Sequence, residues 1–411
     1  MRRLQTRALP AQPRRLSAAI DAADGVKYAP LADHLDERET MQRITFMVAF
    51  SLLLSACATA PECTAPKAVD AVPASAPERV TSLTIPSLDE WTDRYADGKK
   101  GDVRFFNLTK VMARYELTRL QALEVQNHYR DLTRADAKLA LGDALDQAVA
   151  KAKAGDLECG VDPKAMEAAK FIVVFDLDET LYDQYYDGSK CHSVSFERAN
   201  GKMKYIHMVP GWEDAVRRIN ALGGKVVIFS ANLDDRTITN LRHIKLDGQD
   251  LMSSPSIAGV FTNSHLIQQE KTEPPGSAEK PRKGRPVIEP SKDLRPLDES
   301  LQKIIIVDDN PLRLFQFRNV RVFKKFHADH YCTDPEFKKS FDGVMGSVVK
   351  EIEDSVSYMD ANEGVSFVTA YLPFSQLGRI TVRFLMDGRG LTYAEAVDYV
   401  RKHPKLVDKR L

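Results

Sequence analysis

Two carboxylates two residues apart, Asp176 and Asp178, with Thr180 after them, stand directly behind the apolar run Phe171-Ile172-Val173-Val174-Phe175. Acids this close suit a nucleophile, a proton carrier or the ligands of a hard cation. Asp and Thr also form ordinary turns and caps, so the segment alone does not choose between chemistry and architecture. Two further apolar runs decide the matter. Gly224-Lys225-Val226-Val227-Ile228-Phe229 ends at Ser230-Ala231-Asn232, and Lys303-Ile304-Ile305-Ile306-Val307 ends at Asp308-Asp309-Asn310-Pro311. Three such runs, each closing on polar groups, are hard to explain by packing.

Continuous apolar runs rich in β-branched residues read as parallel strands buried on both faces. In open α/β sheets the chemistry lies just beyond the carboxyl ends of such strands. The spacing therefore predicts an α/β fold that gathers Asp176, Asp178, Ser230, Asn232, Asp308 and Asp309 along one sheet edge. Lys303 opens its strand, about 16 Å from the catalytic end at roughly 3.3 Å per residue, and is rejected as a cationic partner. Lys271 falls in a stretch, Gln268 to Lys292, whose Pro, Glu, Lys and Gly content predicts a solvated loop.

The order Asp-x-Asp-x-Thr, Ser, Lys and an acidic pair resembles the haloacid dehalogenase (HAD) superfamily of phosphotransferases over roughly residues 170–330. Asp176-Leu177-Asp178-Glu179-Thr180-Leu181, Pro210-Gly211-Trp212-Glu213, Phe229-Ser230-Ala231-Asn232 and Lys292-Asp293-Leu294 resemble the phosphatases that act on the RNA polymerase II C-terminal domain and their NLI-interacting-factor-like relatives. Val209 replaces an Arg of that pattern, Asp309 an Asn, and Tyr182-Asp183 an apolar-His pair. The resemblance implies a HAD-like Rossmannoid parallel sheet with a minimal cap, flanked by N- and C-terminal helices. It implies a Mg²⁺-dependent phosphomonoester hydrolase in which Asp176 is the nucleophile, Asp178 the general acid and base, and Lys292 the cation beside them. Thr180, Ser230 and Asn232 would bind the substrate. Asp176, Asp178 through its backbone carbonyl, and Asp308 or Asp309 would hold the metal, with Asp309 preferred and Asp308 orienting Lys292. The substrate would be a small phosphomonoester or a phosphoprotein. A catalytically silent HAD-fold lipoprotein that binds phosphorylated ligands or protein partners is the alternative, and the intact acidic set counts against it.

A second signal lies upstream. Met41-Gln42-Arg43, an apolar stretch from Ile44 to Leu54 and Leu54-Ser55-Ala56-Cys57 have the layout of a secretory signal. The stretch is shorter than the ~20 apolar residues of a spanning helix. Its end resembles the bacterial lipobox, which implies lipidation of Cys57 and a protein facing the periplasm from the outer membrane, held by lipid alone. Residues 1–40 then read as an extension upstream of the true start, 41–57 as signal and lipobox, and the Ala/Pro/Ser-rich 58–85 as a flexible tether. Outside the cytoplasm, Cys63, Cys159, Cys191 and Cys332 would meet oxidising conditions; four cysteines allow three pairings, and none has the CxxC spacing of a zinc site.

The remaining boundaries are a helical segment at 86–160, the phosphatase domain at 165–332 and a helical segment at 333–411. Val111, Tyr115, Thr118, Ala122, Val125 and Tyr129 recur at helical spacing, and Ser87-Leu88-Asp89-Glu90 and Thr133-Arg134-Ala135-Asp136 read as capping signals. Between Thr180 and Pro210 there is room for a short hairpin and not for a helical lid. Asp334-Pro335 and Thr392-Tyr393-Ala394-Glu395 read as helix starts, with His403-Pro404 ending the last helix. Lysine plus arginine number 58 and aspartate plus glutamate 58, so the balanced charge gives no ground for a nucleic-acid partner or a polybasic membrane patch.

Overall fold

The computed structural model describes residues 92–93, 105–106, 108–136, 138–157, 160–186, 191–271, 287–311, 314 and 316–408. All of them belong to one compact unit, Arg79–Leu411. The expectations for the signal, Cys57, the tether, the Ser87 cap, Cys63 and Cys159 lie outside the described residues.

The apolar runs form adjacent strands. β1 (Phe171–Phe175), β2 (Gly224–Phe229), β3 (Gly259–Phe261), β4 (Ile304–Asp308) and β5 (Val320–Val322) make a sheet in the order β3-β2-β1-β4-β5. Every pairing in it is parallel. The register sets Phe175 opposite both Ile228 and Val307, so the three strands end level with one another. That single fact brings their terminal polar residues together.

Alternate side chains of a strand face opposite sides of the sheet. Phe171, Val173, Phe175, Val226, Ile228, Ile305 and Val307 enter one hydrophobic cluster, which reaches through Trp212–Ala221 to the C-terminal helices. Ile172, Val174, Val227, Phe229, Ile304 and Ile306 enter the other, closed by the N-terminal helices α1 (Leu108–Tyr115), α2 (Arg119–Ala135) and α3 (Leu141–Ala154). The C-terminal helices share the core of the sheet: Phe171 stacks on Phe367 with ring centroids 4.6 Å apart. Residues 165–332 and 333–411 are therefore not separately packed bodies.

Several local expectations change. The stripe from Val111 to Tyr129 spans two helices, because Glu116 takes a left-handed φ of 56° and Thr118 caps α2 in a reciprocal box with Gln121. Thr133 to Asp136 is the end of that helix and not a start: the Thr133 hydroxyl donates to the carbonyls of Tyr129 and Arg130, and Asp136 is the C-cap. The loop expected before Lys292 begins and ends as an antiparallel ribbon, Ile267–Lys271 against Val287–Ser291. In place of a short hairpin, the Thr180 to Pro210 insertion is a three-stranded antiparallel flap of Tyr182–Tyr185, Val194–Glu197 and Met203–Met208, with the last strand central. The helix that Asp334 opens ends at Phe341, and a second one, Val344–Ala361, starts after Gly343 (φ 78°). Thr392 caps the Tyr393–Lys402 helix in a box with Glu395, and a further short helix, Lys405–Asp408, follows His403-Pro404. Cys191 is bonded to Cys332. No helix among the described residues is long and apolar enough to cross a membrane.

Ile306 is fully buried in the face covered by the N-terminal helices. Ile306→Ala is expected to cost about 2–5 kcal/mol, the range for truncating a buried aliphatic side chain. Urea denaturation checks this as a lower midpoint at unchanged slope.

Candidate active site

The turn after β1 is held by its own backbone. The Asp176 amide donates to the Val307 carbonyl at 3.0 Å, extending the ladder by one rung. The Leu177 carbonyl then accepts from Thr180, Leu181 and Tyr182 at 3.2, 2.9 and 3.0 Å. Glu179 closes the turn in the left-handed region at φ 63°, an uncommon conformation for a side chain of this size. Its carbonyl is held by the Phe326 amide at 2.8 Å, so the turn is braced against the segment following β5.

Lys292 enters from the end of the ribbon and is buried at 2% exposure. Its ammonium lies 2.8 Å from Asp176 Oδ1 and 2.6 Å from Asp308 Oδ2. The other Asp308 oxygen accepts the Asn310 amide at 2.7 Å, which fixes that carboxylate. Burial pushes the Asp176 carboxyl up to about 8, with Lys292 opposing the rise and Asp308 adding to it. Burial also opposes the charge on Lys292, but Asp176 and Asp308 outweigh it and hold the ammonium above its ordinary range.

Asp309 is the third acid: carboxylate oxygens of Asp176, Asp308 and Asp309 lie within 4.8 Å of one another. Burial, then Asp308 and Glu179, raise Asp309 to about 6. The buried Lys292 ammonium touches Asp176 and Asp308, while Asp309 has the exposed Lys325 at 4.0 Å, so the three acids gather hard oxygen donors. That donor set fits a divalent cation such as Mg²⁺. The Asp178 side chain stands outside the cluster.

Thr180, expected to touch substrate, is committed to Asp309. Its hydroxyl donates to Asp309 Oδ1 at 3.2 Å and accepts the Asp309 amide at 3.0 Å. It therefore aims the acid. Asn232 likewise donates to Asp178 Oδ2 at 3.2 Å. Ser230 is fully buried at the end of β2, where its hydroxyl oxygen accepts the Asn232 amide at 3.0 Å. Lys303 donates to the Met166 and Glu167 carbonyls, each at 2.8 Å, away from the acids.

Asp178 has a different environment from Asp176. Gln184 of the flap donates to its Oδ1, and burial raises its pKa against the pull of Asn232, Lys204 and Lys292. Gln184, Lys204 and Lys325 were not foreseen from sequence. Lys204 is 1% exposed on the central flap strand, and burial with Arg236 and Arg198 pushes its ammonium down to about 8. The signal for Lys204 was readable, since it shares the inward face of its strand with Ile206 and Met208. Lys325 pairs with Glu179 and lies 4.0 Å from Asp309. A separate groove of about 1050 Å³ lies between α2 and the β3 edge, lined by Glu124, His128, Asp234 and His265 but by none of these acids.

A parallel sheet that ends in a buried Asp–Lys–Asp contact, with a second acid two residues after the first, defines a HAD-type phosphatase. Residues 171–354 match the family model of NLI interacting factor-like phosphatases. Among solved structures, fission yeast Fcp1, an RNA polymerase II CTD phosphatase bound to beryllium fluoride, is similar at 12% identity over 55% of this chain and 68% of that chain, with a TM-score of 0.28. Another Fcp1 structure is similar at 14% identity over 58% and 68%, with a TM-score of 0.27. Overlap this loose carries no argument, and the family match stands on the sequence. No curated protein matches the chain.

The raised carboxyls set a pH dependence. Between its ordinary 3.8 and about 8, Asp176 binds more proton in the folded than in the unfolded chain. Stability then falls as pH rises through that window. Metal-free protein is expected to lose melting temperature from pH 5 to about 8, with a shallower slope in Asp176→Asn. Added Mg²⁺ should raise the melting temperature more at the upper end, as scanning calorimetry at each pH would read.

Proposed function

We propose that this chain is a Mg²⁺-dependent phosphomonoesterase that works through an aspartyl-phosphate on Asp176, tethered to the cell envelope by lipid. The observation that carries the chemistry is Lys292 seated between Asp176 and Asp308. Phosphomonoesters hydrolyse so slowly that the enzyme must supply on the order of 20 kcal/mol, chiefly by positioning and charge neutralisation.

In this reading Asp176 attacks phosphorus while Lys292 neutralises charge beside the attacking carboxylate. Asp178, kept protonatable by burial and oriented by Gln184 and Asn232, gives its proton to the leaving oxygen and then takes one from the attacking water. Ser230 offers its hydroxyl hydrogen to a phosphoryl oxygen. Asp176, Asp309 and the Asp178 carbonyl would hold Mg²⁺, which when bound supplies further charge neutralisation; Asp308 is occupied by Lys292 and the Asn310 amide. The flap leaves out a helical lid, which suits bulky phosphate-bearing substrates, phosphoprotein included as well as small phosphomonoesters. Lys204 adds positive charge on the Asp178 side.

The envelope address rests on the lipobox-like Leu54-Ser55-Ala56-Cys57. The Cys191–Cys332 bond supports it, because disulfides persist mainly in oxidising compartments.

Hydrolysis of p-nitrophenyl phosphate with Mg²⁺ is the expected activity, and Asp176→Asn or Lys292→Ala should reduce it to background. Asp178→Asn should cost about 10²–10⁴-fold, more on an alkyl phosphate whose leaving group needs the proton. Absence of turnover with Mg²⁺, Mn²⁺ or Co²⁺ would sink the reading. The anchor is tested separately: palmitate labelling in a bacterial host should vanish in Cys57→Ser.

A further inference from the structure

Two ligands that suit zinc, a cysteine and a histidine, sit on the flap and a second cysteine on the helix packed beside it. Cys191 precedes the Val194–Glu197 strand, His207 lies on the central Met203–Met208 strand, and Cys332 belongs to the Ala328–Thr333 helix. One ligand atom from each lies within 4.8 Å of the other two. Cys191 is exposed and the other two are half-buried, so reductant and ion both have access. The Cys191 and Cys332 Cα atoms are 5.7 Å apart.

We propose that, when the Cys191–Cys332 bond is reduced, Cys191, Cys332 and His207 form a Zn²⁺ site, so that covalent bond and metal are alternative staples between flap and helix. Tetrahedral Zn²⁺ with Zn–S near 2.3 Å needs its sulfurs about 3.8 Å apart, a small opening from a bonded pair. Two thiolates and an imidazole leave one position for water. The Ser193 hydroxyl, 3.5 Å from His207 Nδ1, and the Tyr185 hydroxyl, which donates to the Cys191 carbonyl, are the neighbouring groups that orient the ligands.

The chemistry balances with a dithiol as reductant. Its thiolate breaks the S–S bond, two electrons and two protons pass to the cysteines, and the dithiol leaves as its cyclic disulfide. Metal binding then releases both thiol protons, because thiolates are the ligands. The flap, which carries Gln184 and Lys204 to Asp178, thus keeps a tether to the segment bracing Glu179 in either redox state.

The test uses the full chain, reduced by a phosphine, which takes oxygen from water to become its oxide and leaves no competing thiol. After removal of the phosphine it is titrated anaerobically with Co²⁺ and then Zn²⁺. One Co²⁺ per chain should give a near-ultraviolet thiolate charge-transfer band with strong visible bands of a tetrahedral site, displaced by Zn²⁺. The oxygen-ligated acidic cluster gives no thiolate band. Cys332→Ser should abolish the signal and His207→Ala should weaken binding at least tenfold, each variant checked for fold by circular dichroism. Should a variant unfold, alkylation of reduced wild type mapped by mass spectrometry replaces it: Zn²⁺ should protect Cys191 and Cys332. A reduced chain with no thiolate band, an equal band from the oxidised chain or from Cys332→Ser, or alkylation indifferent to Zn²⁺ would overturn the proposal.

Discussion

A buried ammonium between two buried carboxylates is the constraint on which the rest of this structure turns. Taking such charges out of water costs several kcal/mol for each ion, and close geometry recovers that cost only while all partners are present. Lys292 must therefore sit within hydrogen-bond reach of Asp176 and Asp308 at once, which they satisfy at 2.8 and 2.6 Å. The level ends of β1 and β4 supply one half of that geometry, and the ribbon supplies the other. Thr180 and Asn310 then fix the adjoining acids through backbone and hydroxyl contacts.

The surroundings of Asp176 and Asp178 differ because the chain turns sharply between them. Asp176 stays on the ladder, facing the cation and its fellow acids. Asp178, two residues on, faces the flap and the amides of Gln184 and Asn232. One carboxyl thus touches charged groups, while the other takes its direct hydrogen bonds from neutral amides, with Lys204 and Lys292 acting on it through space.

Much of this was legible in the sequence wherever an element's environment is local. The three apolar runs, short and rich in β-branched residues, announced buried parallel strands, and their polar ends followed. Lys292 was reachable by resemblance and by excluding Lys303, which the structure places at the far end of β4. The bonds between Thr180 and Asp309 were not legible, because only the fold brings the Asp309 amide to that hydroxyl. Thr133 failed for a related reason: capping residues mark helix ends of either sense, and its hydroxyl bonds backwards along α2. Gln184 and the Cys191–Cys332 pair depend on contacts across the flap and over a separation of 141 residues, which no local pattern encodes, whereas the inward place of Lys204 is written in the alternation of its strand. The charged, proline-containing ends of the Gln268 to Lys292 stretch hid a strand pair, because ribbon pairing there overrides composition.

That ribbon has an evolutionary corollary. Side chains alternate along a strand, so a one-residue slip turns every one of them to the opposite face. Lys292 follows directly on Ser291, the residue paired with Ile267. Loss or gain of a single residue within either arm would swing the ammonium away from the acids, whereas a change by two restores its side. Length variation among descendants of this chain should accordingly be tolerated between the arms and filtered by parity within them.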